Sequence, residues 1–166
     1  MGFNGEAVAA TARTDLERSV WYSGYLLTFL ATGEDTGGSF ALVEELGRKG
    51  TSAEPPLHVQ TREEECFYII EGEMRFVIGD ELIAAPAGTF VRLPPHVPHR
   101  FEIVSEDLRM LNLLVPAGFE RFFRELSEPA RSLTVPPASE GPPDIDRLLA
   151  TARKYGVEVV SPPPPA

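Results

Sequence analysis

The chain has 166 residues, a formal net charge of −10 and 43% apolar residues, which is typical of one globular domain with its own core. Lys and Arg are not concentrated in any segment, so neither nucleic acid nor an anionic membrane surface is an expected partner. The one cysteine, Cys66, excludes an internal disulfide, and residues 1–19 lack the pattern of a secretory signal. We therefore expect a cytoplasmic protein.

In chain order, residues 1–19 are predicted to form a loose arm or a short helix. Short strands separated by turns rich in Gly and Pro then follow as far as residue 115, and residues 33–38 are one of these turns. The predicted strands cover residues 20–31, 39–46, 65–70, 73–78, 81–84, 89–93, 99–104 and 108–115. Many short strands of this kind predict a β-sandwich or a barrel over residues 20–115.

Beyond residue 115, apolar residues recur every three or four positions, which predicts two amphipathic helices. These residues are Phe119, Phe122, Phe123 and Leu126 in the first helix and Ile145, Leu148, Leu149, Ala152 and Tyr155 in the second. Asp144 is a suitable N-cap for the second helix, and Gly156 ends it. We expect residues 116–160 to pack on the outside of the barrel, although one helix could instead cover its mouth. The proline tail, residues 161–166, is predicted to be disordered.

Two short stretches contain the side chains best suited to chemistry. Residues two apart on a strand point the same way, so His58 and Gln60 share a face. Glu65 opens an otherwise apolar strand and is predicted to point inward, where a bare carboxylate is costly unless it is paired or metal-bound. Prolines restrict the backbone on both sides of His96 and just before His99. Two imidazoles and a carboxylate that converge in a barrel would bind a divalent ion such as Fe, Mn, Ni, Zn or Cu.

The first stretch resembles the first signature motif of the cupin superfamily. That motif has the form H-x-H, three or four residues, Glu, six residues, Gly. His58, Glu65 and Gly72 match it in register, and Gln60 stands where the second histidine is expected.

The second stretch resembles the second cupin motif, which has the form Gly, five residues, P-x-G, two residues, His. Gly88, Pro94 and His99 match it, and His96 replaces the second glycine. The resemblance implies an all-β fold, the double-stranded β-helix or cupin jelly-roll barrel, here with two C-terminal α-helices. It also implies a homodimer, which is common among small cupins.

The whole of residues 20–160 is similar to small bacterial cupins related to quercetin 2,3-dioxygenase, in which three histidines and one glutamate hold a metal. The resemblance implies ligand roles for His58, Glu65 and His99, with Gln60 in the fourth position. Three interpretations of Gln60 remain open. It binds weakly through its amide oxygen, it leaves a coordination position open, or it marks a site that has lost its function.

The leading hypothesis is a metal-dependent, quercetinase-like dioxygenase acting on an aromatic or enolic small molecule, such as a flavonol or polyketide, with dioxygen as the second substrate. The divalent metal would be Fe, Ni, Mn or Cu, and Glu65 would be the catalytic base. One alternative is a non-oxidative cyclase or isomerase that uses Zn, and another is a non-catalytic binding cupin with a degraded site. His96 is either at the pocket or simply exposed in its turn. The predicted pocket residues are Phe67, Ile69, Met74, Phe76, Phe90, His96 and Phe101.

Overall fold

A computed structural model describes residues 11–138 and 141–160. Within these residues, a short 3-10 helix (Leu16–Arg18) precedes twelve β-strands and three α-helices. The strands are β1 (Ser19–Tyr22), β2 (Tyr25–Ala31), β3 (Ala41–Arg48), β4 (His58–Gln60), β5 (Glu64–Glu71), β6 (Glu73–Ile78), β7 (Glu81–Pro86), β8 (Phe90–Leu93), β9 (His99–Ile103), β10 (Asp107–Val115), β11 (Glu128–Pro129) and β12 (Val157–Val159). The helices are α1 (Gly33–Thr36), α2 (Glu120–Leu126) and α3 (Ile145–Lys154).

The strands form two sheets in which every pair of neighbours is antiparallel. The larger sheet has the order β11-β1-β2-β3-β10-β5-β8, and the smaller sheet has the order β12-β4-β9-β6-β7. Neighbours that are distant in the chain, such as β3 beside β10, are typical of a jelly roll. The predicted fold class, an all-β jelly roll with two C-terminal α-helices, is confirmed.

The core lies between the two sheets, because each sheet turns a largely apolar face inward. Phe67 of the larger sheet contacts Phe76 and Phe101 of the smaller sheet, with ring centroids 5.6 and 5.5 Å away. Tilted aromatic pairs at this spacing add to the free energy gained by burying their area. Met74 and Ile69 are completely buried beside them. This aromatic layer therefore joins the two sheets.

Two strands of the C-terminal region are each added to the edge of one sheet, and the sequence pattern did not predict them. β11 pairs with β1, and β12 pairs with β4. Beside β12, the backbone N–H of Thr61 donates to the carbonyl of Gly156 (3.0 Å), and that of Val160 donates to the carbonyl of Leu57 (2.9 Å). Strands of two and three residues are too short to show alternation, which explains why only helices were expected here.

The helices follow their local sequence signals. Asp144 caps α3 by accepting a hydrogen bond from the backbone N–H of Arg147 (3.0 Å). Residues 33–38, predicted as a turn, begin instead with the one-turn helix α1, in which the Asp35 carboxylate accepts a hydrogen bond from the backbone N–H of Thr32 (2.9 Å). Within the described residues, no helix has the length and apolar character needed to cross a membrane.

Helix α2 packs against β1 through its aromatic residues. Phe122 and Phe123 contact the ring of Tyr22 at centroid distances of 5.9 and 5.3 Å. Burial raises the pKa of Tyr22 to about 12, and the charges of Glu45 and Glu65 add to the rise. The helix therefore packs near these two carboxyl groups. The division into an arm, a barrel and a helical region stays a prediction, and residues 1–10 and 161–166 lie outside the described residues.

Candidate metal centre

Three of the predicted ligands meet at one place inside the protein. His58 begins β4 and His99 begins β9, and the two residues are direct partners in the ladder between these strands. Their ring centroids are 4.4 Å apart. Glu65 comes from β5 in the opposite sheet, and one ligand atom from each of the three residues lies within 4.8 Å of the other two. The cluster thus bridges the two sheets.

Backbone carbonyls set the orientation of both imidazoles. Nδ1 of His58 lies 2.8 Å from the carbonyl oxygen of Pro56, and Nδ1 of His99 lies 2.9 Å from that of Val97. Because a carbonyl can only accept, each Nδ1 carries the hydrogen and each Nε2 keeps its lone pair. Burial and the adjacent His99 lower the pKa of His58, which favours the neutral form that binds metals.

The ring nitrogen of His99 that faces the cluster is buried and has no hydrogen-bond partner in the described part of the chain. It lies 3.7 Å from Oε2 of Glu65, which is too long for a hydrogen bond. A buried polar atom without a partner normally costs free energy. Two nitrogen donors and a carboxylate oxygen around a shared point form a donor set that suits a divalent transition metal. The cluster could therefore hold one metal ion.

Gln60 lies in the same region of the smaller sheet. It is 2% exposed, it shares a face of β4 with His58, and its Oε1 has no hydrogen-bond partner among residues 11–138 and 141–160. Its backbone carbonyl accepts a hydrogen bond from the N–H of His96 (2.8 Å), which ties the second motif to the first. A buried amide oxygen without a partner is compatible with weak ligation, and the ligand role of Gln60 stays a prediction.

A buried polar network behind Glu65 was not predicted from the sequence. The Nδ2 amide group of Asn112 donates to Oε1 of Glu45 (3.0 Å) and to Oε1 of Glu65 (3.2 Å). Burial raises the pKa of Glu45 to about 8; the hydrogen bond from Asn112 opposes the rise, and the charge of Glu65 adds to it. One signal was available: Glu45 follows Ala41 and Val43 on the inward side of the β3 alternation.

Five of the predicted pocket residues lie in the interior. Phe67, Ile69, Met74 and Phe76 are at most 1% exposed, and Phe101 packs against them while partly buried. Their side chains fill the interior by contacting one another. Contact between these side chains and a substrate stays a prediction. Two cavities of about 260 and 350 Å³ lie elsewhere. Neither of these two is lined by a predicted pocket residue or by a residue of the metal cluster.

The structure places two of the predicted pocket residues, Phe90 and His96, at exposed positions, and their pocket role stays a prediction. Phe90 is 60% exposed, because Val91 and Leu93 take the inward positions of β8. Arg92 shares the outward face of this strand with Phe90, so the alternation with Val91 and Leu93 already favoured an exposed Phe90. His96 is exposed in its turn with φ at 65°, a left-handed conformation that glycine adopts easily. The backbone thus keeps the conformation of the motif glycine although the residue has changed.

The cupin domain family matches residues 48–115, the segment that contains the whole cluster. An uncharacterized protein of Streptomyces coelicolor is 30% identical over 93 residues, which cover 56% of this chain and 81% of that protein. The chain belongs to the cupin family. The cupin is also similar to structures of known cupins. An RmlC-like cupin from Shewanella frigidimarina gives a TM-score of 0.53 at 21% identity, over 63% of this chain and 90% of that chain.

Two quercetin 2,3-dioxygenases are among the relatives of this cupin. The enzyme of Bacillus subtilis is 29% identical over 133 residues, covering 80% of the cupin and 39% of the enzyme. The enzyme of Aspergillus japonicus is 27% identical over 125 residues, covering 72% of the cupin and 36% of the enzyme. The chain thus spans well under half the length of both enzymes. A nucleoside dehydratase gives a TM-score of 0.51 at 17% identity, over 68% of this chain and 88% of that chain, a likeness of fold alone.

Proposed function

We propose that this cupin is a metal-dependent dioxygenase of the quercetinase-like type, acting on an aromatic or enolic small molecule such as a flavonol or polyketide. The observation that carries the proposal is the cluster of His58, Glu65 and His99, in which the buried Nε2 of His99 has no hydrogen-bond partner among the described residues. The likeness to two quercetin 2,3-dioxygenases supports the choice of chemistry. One ion of Fe, Ni, Mn or Cu would be held by these three residues, with Gln60 as a fourth ligand.

The bound metal would supply a Lewis acid that lowers the pKa of a substrate hydroxyl, and a redox centre for dioxygen. The protein contributes orientation and proton transfer. The carbonyls of Pro56 and Val97 hold the two imidazoles with Nε2 toward the cluster. Glu65 is the base that takes the hydroxyl proton, and at 3% exposure it is shielded from bulk water. The apolar rings beyond it would favour an aromatic substrate over a polar one.

A second candidate is a non-oxidative cyclase or isomerase with Zn in the same place. The specific observation in its favour is Gln60, which leaves two imidazoles and one carboxylate as the strong donors. Zn accepts this set readily and keeps a further position for substrate. In this case Zn would supply a Lewis acid for the substrate, and Glu65 would still move the proton.

The test begins with the metal content of protein purified without chelators, measured by mass spectrometry. His99→Ala removes a buried imidazole, and His96→Ala is a matched control that removes an exposed one. We expect about one equivalent of metal in wild type and His96→Ala, and none in His99→Ala. Oxygen consumption with flavonols by the Fe, Ni, Mn or Cu form supports the dioxygenase.

Other outcomes redirect the proposal. Bound Zn without oxygen consumption favours the cyclase or isomerase. Absence of metal, even after reconstitution with each ion, overturns both candidates and leaves a cupin that binds small molecules without catalysis. Equal metal loss in both histidine variants contradicts the ligand role of His99.

We further propose a homodimer in the cytoplasm. Tyr68 and Phe90 are cross-strand partners on the outer face of the larger sheet, and they are 45% and 60% exposed. Paired exposed aromatic rings of this kind are typical of an interface. Light scattering should give twice the chain mass for wild type and the single chain mass for Phe90→Asp. The buried free thiol of Cys66 suits a reducing compartment.

A further inference from the structure

Three polar side chains form a diagonal row on the inward face of the larger sheet. Asn112 of β10 is paired with Val43 of β3 on one side and with Phe67 of β5 on the other. Glu45 and Glu65 are two residues further along β3 and β5, in opposite directions. Diagonal neighbours on a sheet are far enough apart to need long side chains to meet. The glutamates supply that length, and all three residues are at most 6% exposed.

The amide of Asn112 uses both of its hydrogens in this row. One is donated to Oε1 of Glu45 and the other to Oε1 of Glu65. The reverse amide orientation would place Oδ1 beside Oε1 of Glu65, and a carboxylate that binds a metal has no hydrogen to donate, so Nδ2 is assigned as the donor. Oε1 of Glu65 is therefore occupied, while Oε2 of the same carboxyl faces Nε2 of His99 at 3.7 Å.

We propose that Asn112, anchored by Glu45, is a positioning residue that reserves one oxygen of Glu65 and presents the other to the metal. The inference rests on the metal centre proposed above. It predicts that Glu65 binds through Oε2 alone. A carboxylate that coordinates through one oxygen takes up one coordination position fewer than a bidentate one, and the position left free is available to substrate.

The anchor is suited to its role because it can be buried without a cation. Glu45 is 6% exposed, and burial raises its pKa to about 8, so the carboxyl is largely neutral at pH 7. A neutral acid accepts the hydrogen bond from Asn112 without placing a second full negative charge beside the metal. Because Glu45 holds one amide hydrogen, the side chain of Asn112 is kept from rotating away from Glu65.

The experiment measures the dissociation constant for Co²⁺ by chelator competition, together with the visible absorption spectrum of the bound Co²⁺. Asn112→Leu keeps a similar volume and removes both donor hydrogens. We expect about 10- to 100-fold weaker binding, the usual cost of losing a hydrogen bond to a metal ligand. We also expect a changed spectrum, because the freed carboxylate can coordinate through both oxygens.

Two variants of Glu45 test its role as the anchor. They decide the question if Asn112→Leu does not fold. Glu45→Leu removes the acceptor and should weaken Co²⁺ binding, whereas Glu45→Gln keeps an acceptor oxygen and should recover most of the affinity. Thr28→Val is the matched control, since it removes a buried hydroxyl that contacts Ser19 (2.7 Å) on the other face of the same sheet. It should lower the melting temperature and leave the Co²⁺ affinity unchanged.

The outcomes separate this inference from the proposed function. If wild type binds no Co²⁺, the metal centre is wrong and the inference falls with it. If wild type binds Co²⁺ and a folded Asn112→Leu binds it within about twofold with the same spectrum, the metal centre stands and Asn112 does not position Glu65. Equal affinities for Glu45→Leu and Glu45→Gln, or an equal loss in Thr28→Val, also overturn the positioning role.

Discussion

Two regions of the barrel interior are built from the same strands and yet differ in character. On β5, Glu65 and Phe67 point inward two residues apart. Around Phe67, the rings of Phe76 and Phe101 pack at 5.5 to 5.8 Å from one another. Around Glu65, the imidazole of His99 presents a nitrogen with no partner in the part of the chain that the structure describes. We refer to these regions as the aromatic layer and the ligand end.

The comparison shows how one strand serves stability and chemistry together. The rings of the aromatic layer pack against one another, so the layer contributes to the free energy of unfolding in the isolated chain. The ligand end has buried polar atoms that lack a partner among the described residues, which lowers stability, and a bound cation would satisfy them. Changes in the two regions should have separable effects.

The largest effect is expected in the aromatic layer. Phe76→Ala removes a completely buried ring and should lower the free energy of unfolding by about 3–5 kcal/mol. Urea unfolding measures the change. Leu82→Ala, at a position that is 68% exposed on the neighbouring strand, should stay within about 0.5 kcal/mol of wild type. Loss of metal by Phe76→Ala while it is still folded would show that the two regions are not separable.

A second prediction concerns the pH dependence of stability in metal-free protein. Burial raises the pKa of Glu45 from 4.5 to about 8, so between these values the folded chain binds a proton that the unfolded chain has released. Raising the pH across this range should lower the free energy of unfolding by up to about 1.4 kcal/mol per pH unit. The contribution is fully present below pH 4.5 and lost above pH 8.

Urea unfolding at a series of pH values checks this slope, with Glu45→Gln as the comparison. That variant has no proton to lose, so its slope should be smaller. A part of the slope should remain, because burial also raises the pKa of Glu63 to about 7. Equal slopes in the two proteins would place the titrating group elsewhere.

The third prediction completes the donor set of the ligand end. Gln60→His restores the imidazole expected from the cupin motif and should strengthen Zn or Ni binding about tenfold, or roughly 1.4 kcal/mol. Chelator competition measures the affinity. Val59→His is the matched control, because it places an imidazole on the same strand with the opposite direction. An unchanged affinity in Gln60→His would mean that residue 60 is not aimed at the metal.

The smallest effect is expected at His96. Its φ of 65° is strained for residues other than glycine, so His96→Gly should raise the free energy of unfolding by at most about 1 kcal/mol. The melting temperature measures the gain. His96→Ala keeps the strain and should show no gain. If His96→Gly lost metal, the imidazole would have a role that its exposure does not indicate.

The motif spacing was the strongest part of the sequence evidence. It predicted the convergence of His58, Glu65 and His99, which the structure brings within 4.8 Å of one another, although their ligand roles stay predictions. The prediction succeeded because the three residues occupy fixed positions on their strands, and the register of each strand sets the direction of its side chains. The main strands could also be predicted, because their apolar runs are bounded by Gly and Pro.

Other features depend on contacts that a single sequence does not show. Glu45 follows another glutamate, and consecutive charged residues are normally solvated. The burial of Glu45 depends instead on Asn112, which is 67 positions away. The two-residue strand β11 forms only because β1 offers it an edge. Each of these features is decided by tertiary packing.

The pairing of β12 with β4 has a consequence for the order of assembly during synthesis. The strand that carries His58 and Gln60 has β9 on one side and β12 on the other. Residue 157, the partner of Gln60, leaves the ribosome roughly a hundred positions after that glutamine, so this contact is among the most non-local in the chain. Until then one edge of β4 is open, and the strand that carries two of the predicted ligands is held from one side only.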